Sequence, residues 1–159
     1  MVLSDGCVLR DQMPMPPSAL EKCLVGVSPA QWYELLNSKV FFWFDLKRLE
    51  RQRRAVGGED QIVLVIDTER LLAQHEAHAA VSPFNTGNAR RKPAPRSPAT
   101  FVPVRTWLAS GWESEADALG RAPRSPAHKP VELVVADAVP DVMEFVREVR
   151  GFCVSDRRA

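Results

Sequence analysis

Apolar positions along the chain fall into short runs whose period keeps changing. Lys39-Val40-Phe41-Phe42-Trp43-Phe44 is apolar on both faces and predicts a strand central in a sheet. Gln61-Ile62-Val63-Leu64-Val65-Ile66 predicts a second strand. Val131-Glu132-Leu133-Val134-Val135 predicts another near the C-terminus, with one charge inside it. Thr100-Phe101-Val102-Pro103-Val104 reads as a short strand, and its proline makes it an edge piece. Cys7-Val8-Leu9 reads as a short strand or extended piece, and Val149 to Val154 as a last strand.

Between these runs the spacing turns helical. Met13-Pro14-Met15-Pro16-Pro17 is extended, because proline disfavours the α region for the residue before it. Ser18 with Glu21 reads as a capping box for a short helix through Leu24. Ser28, Pro29 and Gln31 repeat the signal and predict a helix to about Asn37 that buries Trp32, Leu35 and Leu36. Asp45 predicts a cap for a helix to about Arg54, with Leu46 and Leu49 inward, closed by Gly57-Gly58. Thr68 predicts a cap for a helix from Glu69 to about His75. Ser82-Pro83-Phe84-Asn85-Thr86-Gly87-Asn88 is turn chemistry, with Gly87 and the asparagines suited to positive φ. Pro140 to Arg147 predicts a last helix.

Strands alternating with short helices predict a single α+β domain over residues 1–159, with a mixed, mostly antiparallel sheet. The stretch 86–99, proline-rich and basic, is expected to be a mobile loop, and 109–129, which keeps no lasting period, a mobile loop containing at most a short helix. A hydrophobic fraction of 45 % suffices for a core, and a net charge of +1 leaves nucleic-acid binding to local clusters. Apolar runs of about five residues are far short of the ~20 needed to span a bilayer, so no membrane partner is expected. Cys7, Cys23 and Cys153 are odd in number and widely spaced, which predicts free thiols and a cytoplasmic location.

Several residues are candidates for chemistry. Glu132 is catalytic if it faces a cleft and ordinary if it faces water. Phe42 and Trp43 are either core or the floor of a cleft on which a planar ring stacks. Arg10 either pairs with a phosphate or forms a surface ion pair with Asp11. Arg90, Arg91, Lys92 and Arg96, flanked by Phe84 and Phe101, either contact phosphates or form a solvated loop. His75 and His78 lack companions at metal-ligand spacing, so no metal is expected. No dinucleotide-binding or phosphate-binding glycine loop is present.

The combination Val8-Leu9-Arg10-Asp11-Gln12, Trp32 to Asn37, Val40-Phe41-Phe42-Trp43, Val65-Ile66-Asp67-Thr68, Ser82 to Gly87, Thr100 to Pro103 and Val139-Pro140-Asp141 resembles a bacterial domain of unknown function. Glu132-Leu133-Val134-Val135 followed by Val139-Pro140 is also similar to the catalytic strand of DarT-type DNA ADP-ribosyltransferases. That likeness implies an ADP-ribosyltransferase-like fold and NAD as substrate, hence a glycosyl-transfer reaction. It implies Glu132 as the catalytic carboxylate, Phe42 and Trp43 walling the nicotinamide pocket, and Arg10 on a pyrophosphate oxygen. It places Asn85 on a loop at the acceptor site, with the basic loop steering a nucleic-acid or protein acceptor. The family pattern of a His-x-Thr strand is missing before Cys7. The expectation is therefore a fold short of its first strand, by truncation, by a different way of holding NAD, or with loss of activity. An exposed sheet edge covered by a partner protein would follow. The competing expectation is a non-enzymatic module on the same fold that binds nucleic acid or protein.

Overall fold

The computed structural model describes residues 15–56, 60–89 and 93–152. Helix α1, Pro17–Glu21, leads to α2, Pro29–Asn37, and then to strand β1, Lys39–Trp43. Helix α3, Leu46–Val56, precedes β2, Gln61–Ile66, and α4, Thr68–His75. Strand β3, Ala79–Ser82, is followed by β4, Val102–Pro103, α5, Val104–Ser110, and α6, Glu113–Ala118. Strands β5, Glu132–Ala136, and β6, Val146–Phe152, complete the described chain. The α+β character and antiparallel pairing match expectation.

Four strands form one sheet in the order β1-β5-β3-β4, and β2 pairs with β6 as a separate ribbon. Strand β5 therefore has a neighbour on both sides, and four of its five residues are buried. One face packs Leu71, Val81, Val102, Val104, Trp112, Leu133, Val135 and Phe145. The other packs Met15, Leu20, Cys23, Trp32, Phe101 and Val134. Because side chains alternate along a strand, Leu133 and Val135 serve the first face while Val134 serves the second. Trp32 is fully buried and stacks on Phe101 with ring centroids 5.8 Å apart.

Local chemistry explains most boundaries. Ser28 and Gln31 make the reciprocal capping box, with Pro29 opening α2 as expected. The box expected at Ser18 does not form: α1 starts two residues earlier, at Pro17, with Pro16 in the cap position and no side-chain cap. Helix α4 is capped by Asp67 rather than Thr68, through the Arg70 N–H at 3.1 Å. Asp67 also accepts from Arg147 at 2.7 Å and donates its own N–H to the Phe145 carbonyl. Its carboxyl lies below the usual range, chiefly through the Arg70 backbone N–H and then Arg147.

Other expectations are corrected. Among the described residues β1 is at the edge of the sheet, because only β5 pairs with it, and Phe41 is exposed. Leu46 faces solvent at 67 % exposure, since its position in the first turn of α3 turns away from the sheet. The helix expected over 140–147 is a single tight 3-10 turn, Val142–Phe145, from which the chain enters β6. The short helix that the reading of 109–129 allowed is α6, whose Glu115 is buried and held bidentately by Arg124 at 2.8 Å. The last strand expected from Val149 is the second half of β6; its end beyond Phe152, the piece at 7–9, and Gly57 and Gly58 lie outside the described residues.

Replacing Leu71 by alanine is expected to cost about 2–5 kcal/mol, because its site is closed on all sides. Replacing Leu46 by alanine should stay within about 0.5 kcal/mol. Urea unfolding of both variants checks the pair, and equal costs would contradict this packing.

Candidate functional site around Glu132

Glu132 opens β5 opposite Trp43 of β1 and Ser82 of β3. Residues directly opposite in an antiparallel pair share a face, so Trp43, Glu132 and Ser82 form one row across three strands. Phe42 pairs with Leu133 and packs in the core of the other face. Strand alternation thus separates Phe42 from Trp43. The expectation that both wall one pocket is corrected: only Trp43 shares the side of Glu132.

The Glu132 side chain turns inward and is 3 % exposed. A buried carboxylate needs donors, and the end of β3 with the turn after it supplies them. Thr86 gives its hydroxyl to Oε2 at 2.9 Å and its N–H at 3.2 Å. Ser82 Oγ lies 2.7 Å from the same oxygen and 2.8 Å from the Phe84 carbonyl. One hydroxyl hydrogen cannot serve both acceptors at once. If Glu132 is protonated, its own hydrogen goes to Ser82 Oγ and the serine hydrogen goes to Phe84. Burial pushes the Glu132 carboxyl above its ordinary value, while Ser82, Thr86 and the charge of Arg48 oppose that rise.

Thr86 links the acid to a base. Its carbonyl accepts from Arg96 Nη1 at 2.9 Å. The other guanidinium nitrogens donate to the carbonyls of Asn88 and Ala94. Arg96 is 1 % exposed, and its guanidinium lies 4.9 Å from the centre of the Phe84 ring. Its assignment to a phosphate-binding loop is corrected: the charge is spent on backbone carbonyls inside the molecule. Over its described residues, the stretch 86–99 is tied down by these bonds and by pairing of Arg96 with Cys23 and Val25. Asn85 is half-buried in the same turn, and its carbonyl accepts from the Asn88 N–H at 3.3 Å. Among the described residues only Gly26, Gly111, Gly120 and Asp137 have positive φ, so the turn forms without the left-handed backbone expected at Gly87. Side-chain bonds to Glu132 shape it instead. Arg10, Arg90, Arg91 and Lys92 lie outside the described residues.

A hollow of about 700 Å³ opens beside α5 and α6. Trp107, Trp112, Glu113, Pro123, Arg124 and Pro126 are among its walls, whereas Glu132, Phe42, Trp43 and Asn85 are not. Its size suits a small ligand. Arg124 connects it to the acid's surroundings, because its guanidinium lies 5.4 Å from the same Phe84 ring. Among the described residues no three His, Cys, Asp or Glu side chains gather at metal-binding distance, and no helix is long and apolar enough to cross a membrane. His75 bonds to Asp141 at 2.9 Å.

Ser82, Thr86 and Arg48 were not singled out from the sequence as partners of Glu132. A usable signal existed: a lone acid in an apolar strand requires hydroxyl or amide donors, and Ser82 to Thr86 is a nearby source.

The architecture defines an α+β domain with one buried, oriented acid on its central strand. The chain belongs to the Family of unknown function (DUF7002), whose model matches residues 2–146. No curated protein and no solved structure matches it.

Glu132 titration should be visible in stability. Above about pH 4.5 the unfolded chain releases this proton while the native state retains it up to its raised value. In that window the native state binds more protons, so this contribution falls as pH rises. Melting temperatures of wild type and Glu132→Gln, measured from pH 4 to 9, should converge in slope only outside the window. Parallel curves throughout would show that the acid does not titrate as described.

Proposed function

We propose that the protein is an NAD-dependent ADP-ribosyltransferase, or a degenerate relative, acting on nucleic acid or protein, with Glu132 as the catalytic carboxylate. The observation that carries this reading is the grip of Ser82 and Thr86 on an inward-facing acid at the end of a central strand. A side chain held in this way is oriented before any ligand arrives, which is what electrostatic stabilisation of a developing positive centre requires. Among the described residues Oε1 receives one long bond, 3.3 Å from the Thr86 nitrogen, which in this reading leaves it capacity for a ribose hydroxyl or an acceptor.

The chemistry balances simply. The bond from the nicotinamide nitrogen to the ribose anomeric carbon breaks, and nicotinamide leaves with the bonding pair. An acceptor nucleophile bonds to that carbon, and its proton passes to Glu132. Transfer therefore uses the ionised carboxylate, and activity should rise as pH rises through its elevated native value. In this reading Trp43, which shares the face of Glu132, borders the nicotinamide and Asn85 the acceptor, while Arg10 keeps the pyrophosphate role that the resemblance gives it and lies outside the described residues.

A second reading is favoured by the three donor contacts on Oε2. In it Glu132 is a latch for the turn, and the domain is a non-enzymatic binding module for nucleic acid or protein. Glu132→Gln keeps the shape and hydrogen-bonding capacity of the neutral acid, so it should fold in both cases. Incubation with labelled NAD and mixed acceptors should label an acceptor with wild type and none with Glu132→Gln. Millimolar NAD should raise the wild-type melting point, since ligand at 100 times its dissociation constant adds about 2.7 kcal/mol. Unchanged transfer in the variant removes Glu132 from catalysis, and no NAD shift at all leaves the binding module.

A further inference from the structure

The densest positive charge on the described surface is helix α3, which has five basic residues and one acid. The acids at hand are spent on its flanks, Asp45 against Arg48 at 3.6 Å and Glu50 against Arg53 at 2.7 Å. Lys47, Arg51 and Arg54 remain exposed and enter no ion pair among the described residues. Their spacing is i, i+4, i+7, so they form one stripe about 10 Å long on the solvent side of the helix. By contrast, Arg105, Arg147 and Arg150 are each paired with a carboxylate. At the head of the stripe stand two exposed apolar side chains, Phe44 at 45 % and Leu46 at 67 %.

We infer that α3 and Phe44 form a docking surface for single-stranded nucleic acid, the unpaired cations Lys47, Arg51 and Arg54 following the phosphates while the Phe44 ring stacks on a base. Unneutralised charge in a line, with an exposed aromatic at one end, is the composition that binds single strands without reading sequence. A membrane surface fits less well: it would take a broad apolar face, and α3 offers only Leu46 beside Phe44. The placement also matters. Phe44 directly follows Trp43, which faces Glu132, and Arg48 on the same helix acts electrostatically on the Glu132 carboxylate. The stripe thus runs outward from the acid's neighbourhood. This inference rests on the transferase reading only in making nucleic acid the acceptor; binding itself needs neither NAD nor transfer.

The test uses the full chain, a fluorescent 20-nucleotide single strand, and a salt series without NAD. The wild type should bind, with affinity falling steeply as salt rises. Lys47→Gln/Arg51→Gln/Arg54→Gln should bind at least about ten-fold more weakly, with the log–log salt slope flattened by about 2, the figure for three released phosphate contacts. Phe44→Leu, which keeps an apolar side chain, should weaken single-strand binding about ten-fold and duplex binding far less. Arg150→Gln, altering a paired cation, should match wild type. No binding at low salt, a triple variant equal to wild type, or stronger capture by phosphatidylserine vesicles than by the oligonucleotide would each overturn the inference. Loss of binding in the triple variant with an intact NAD-induced melting shift separates this surface from the NAD site. An oligonucleotide-binding wild type with no NAD shift would leave the surface standing and remove the transferase reading.

Discussion

Placing a carboxylic acid in the interior of a small domain costs several kcal/mol unless donors surround it. That constraint organises one whole end of this molecule. Glu132 cannot sit on the central strand unless β3 sets Ser82 opposite it and the chain after β3 folds back to deliver Thr86. The returning turn leaves carbonyls inside, and these in turn require Arg96. Arg96 then anchors its own segment to Cys23 and Val25, which closes the second core over Trp32 and Phe101. A charge that would be a liability in isolation becomes the reason that a proline-rich segment has a defined path.

The same arrangement joins stability to chemistry. Every group that holds Glu132 in place also restricts which protonation state is comfortable. Burial favours the neutral form; the donors and Arg48 favour the anion. A poised acid of this kind is expected at reactive centres, and structural networks produce it too. The hollow beside α5 and α6 meets this network through the Phe84 ring, which lies near Arg96 and Arg124, and through Trp112, which donates to the His128 carbonyl while the His128 ring reaches the Pro83 carbonyl.

The sequence made the continuous strands legible because β-branched runs bounded by polar residues have few alternatives: β2 spans Gln61–Ile66 as read. The α2 cap was equally plain, since Ser28, Pro29 and Gln31 act locally. Errors arose where tertiary demands overrode local signals. Asp67 outcompeted Thr68 as a cap because it also meets Arg147 from a strand eighty positions away. The position of β1 at an edge depends on which strands pair, which an apolar run does not encode. Glu132 was recognisable as unusual, but its partners lie 46 and 50 residues away, and Phe42 and Trp43 were separated only once the register was known.

Asp67 has a mechanical meaning as well. Among the described residues the β2–β6 ribbon shares no strand ladder with the four-stranded sheet. Asp67 ends one ribbon strand's connection, starts α4, and grips the other ribbon strand through Arg147. It works as a rivet joining two plates. Asp67 shares this joint with Ile66, which packs against the main core, and with Arg53 of α3, whose guanidinium covers the Phe152 ring, so the ribbon is seated along its length and the loss of the Asp67 grip alone leaves it attached.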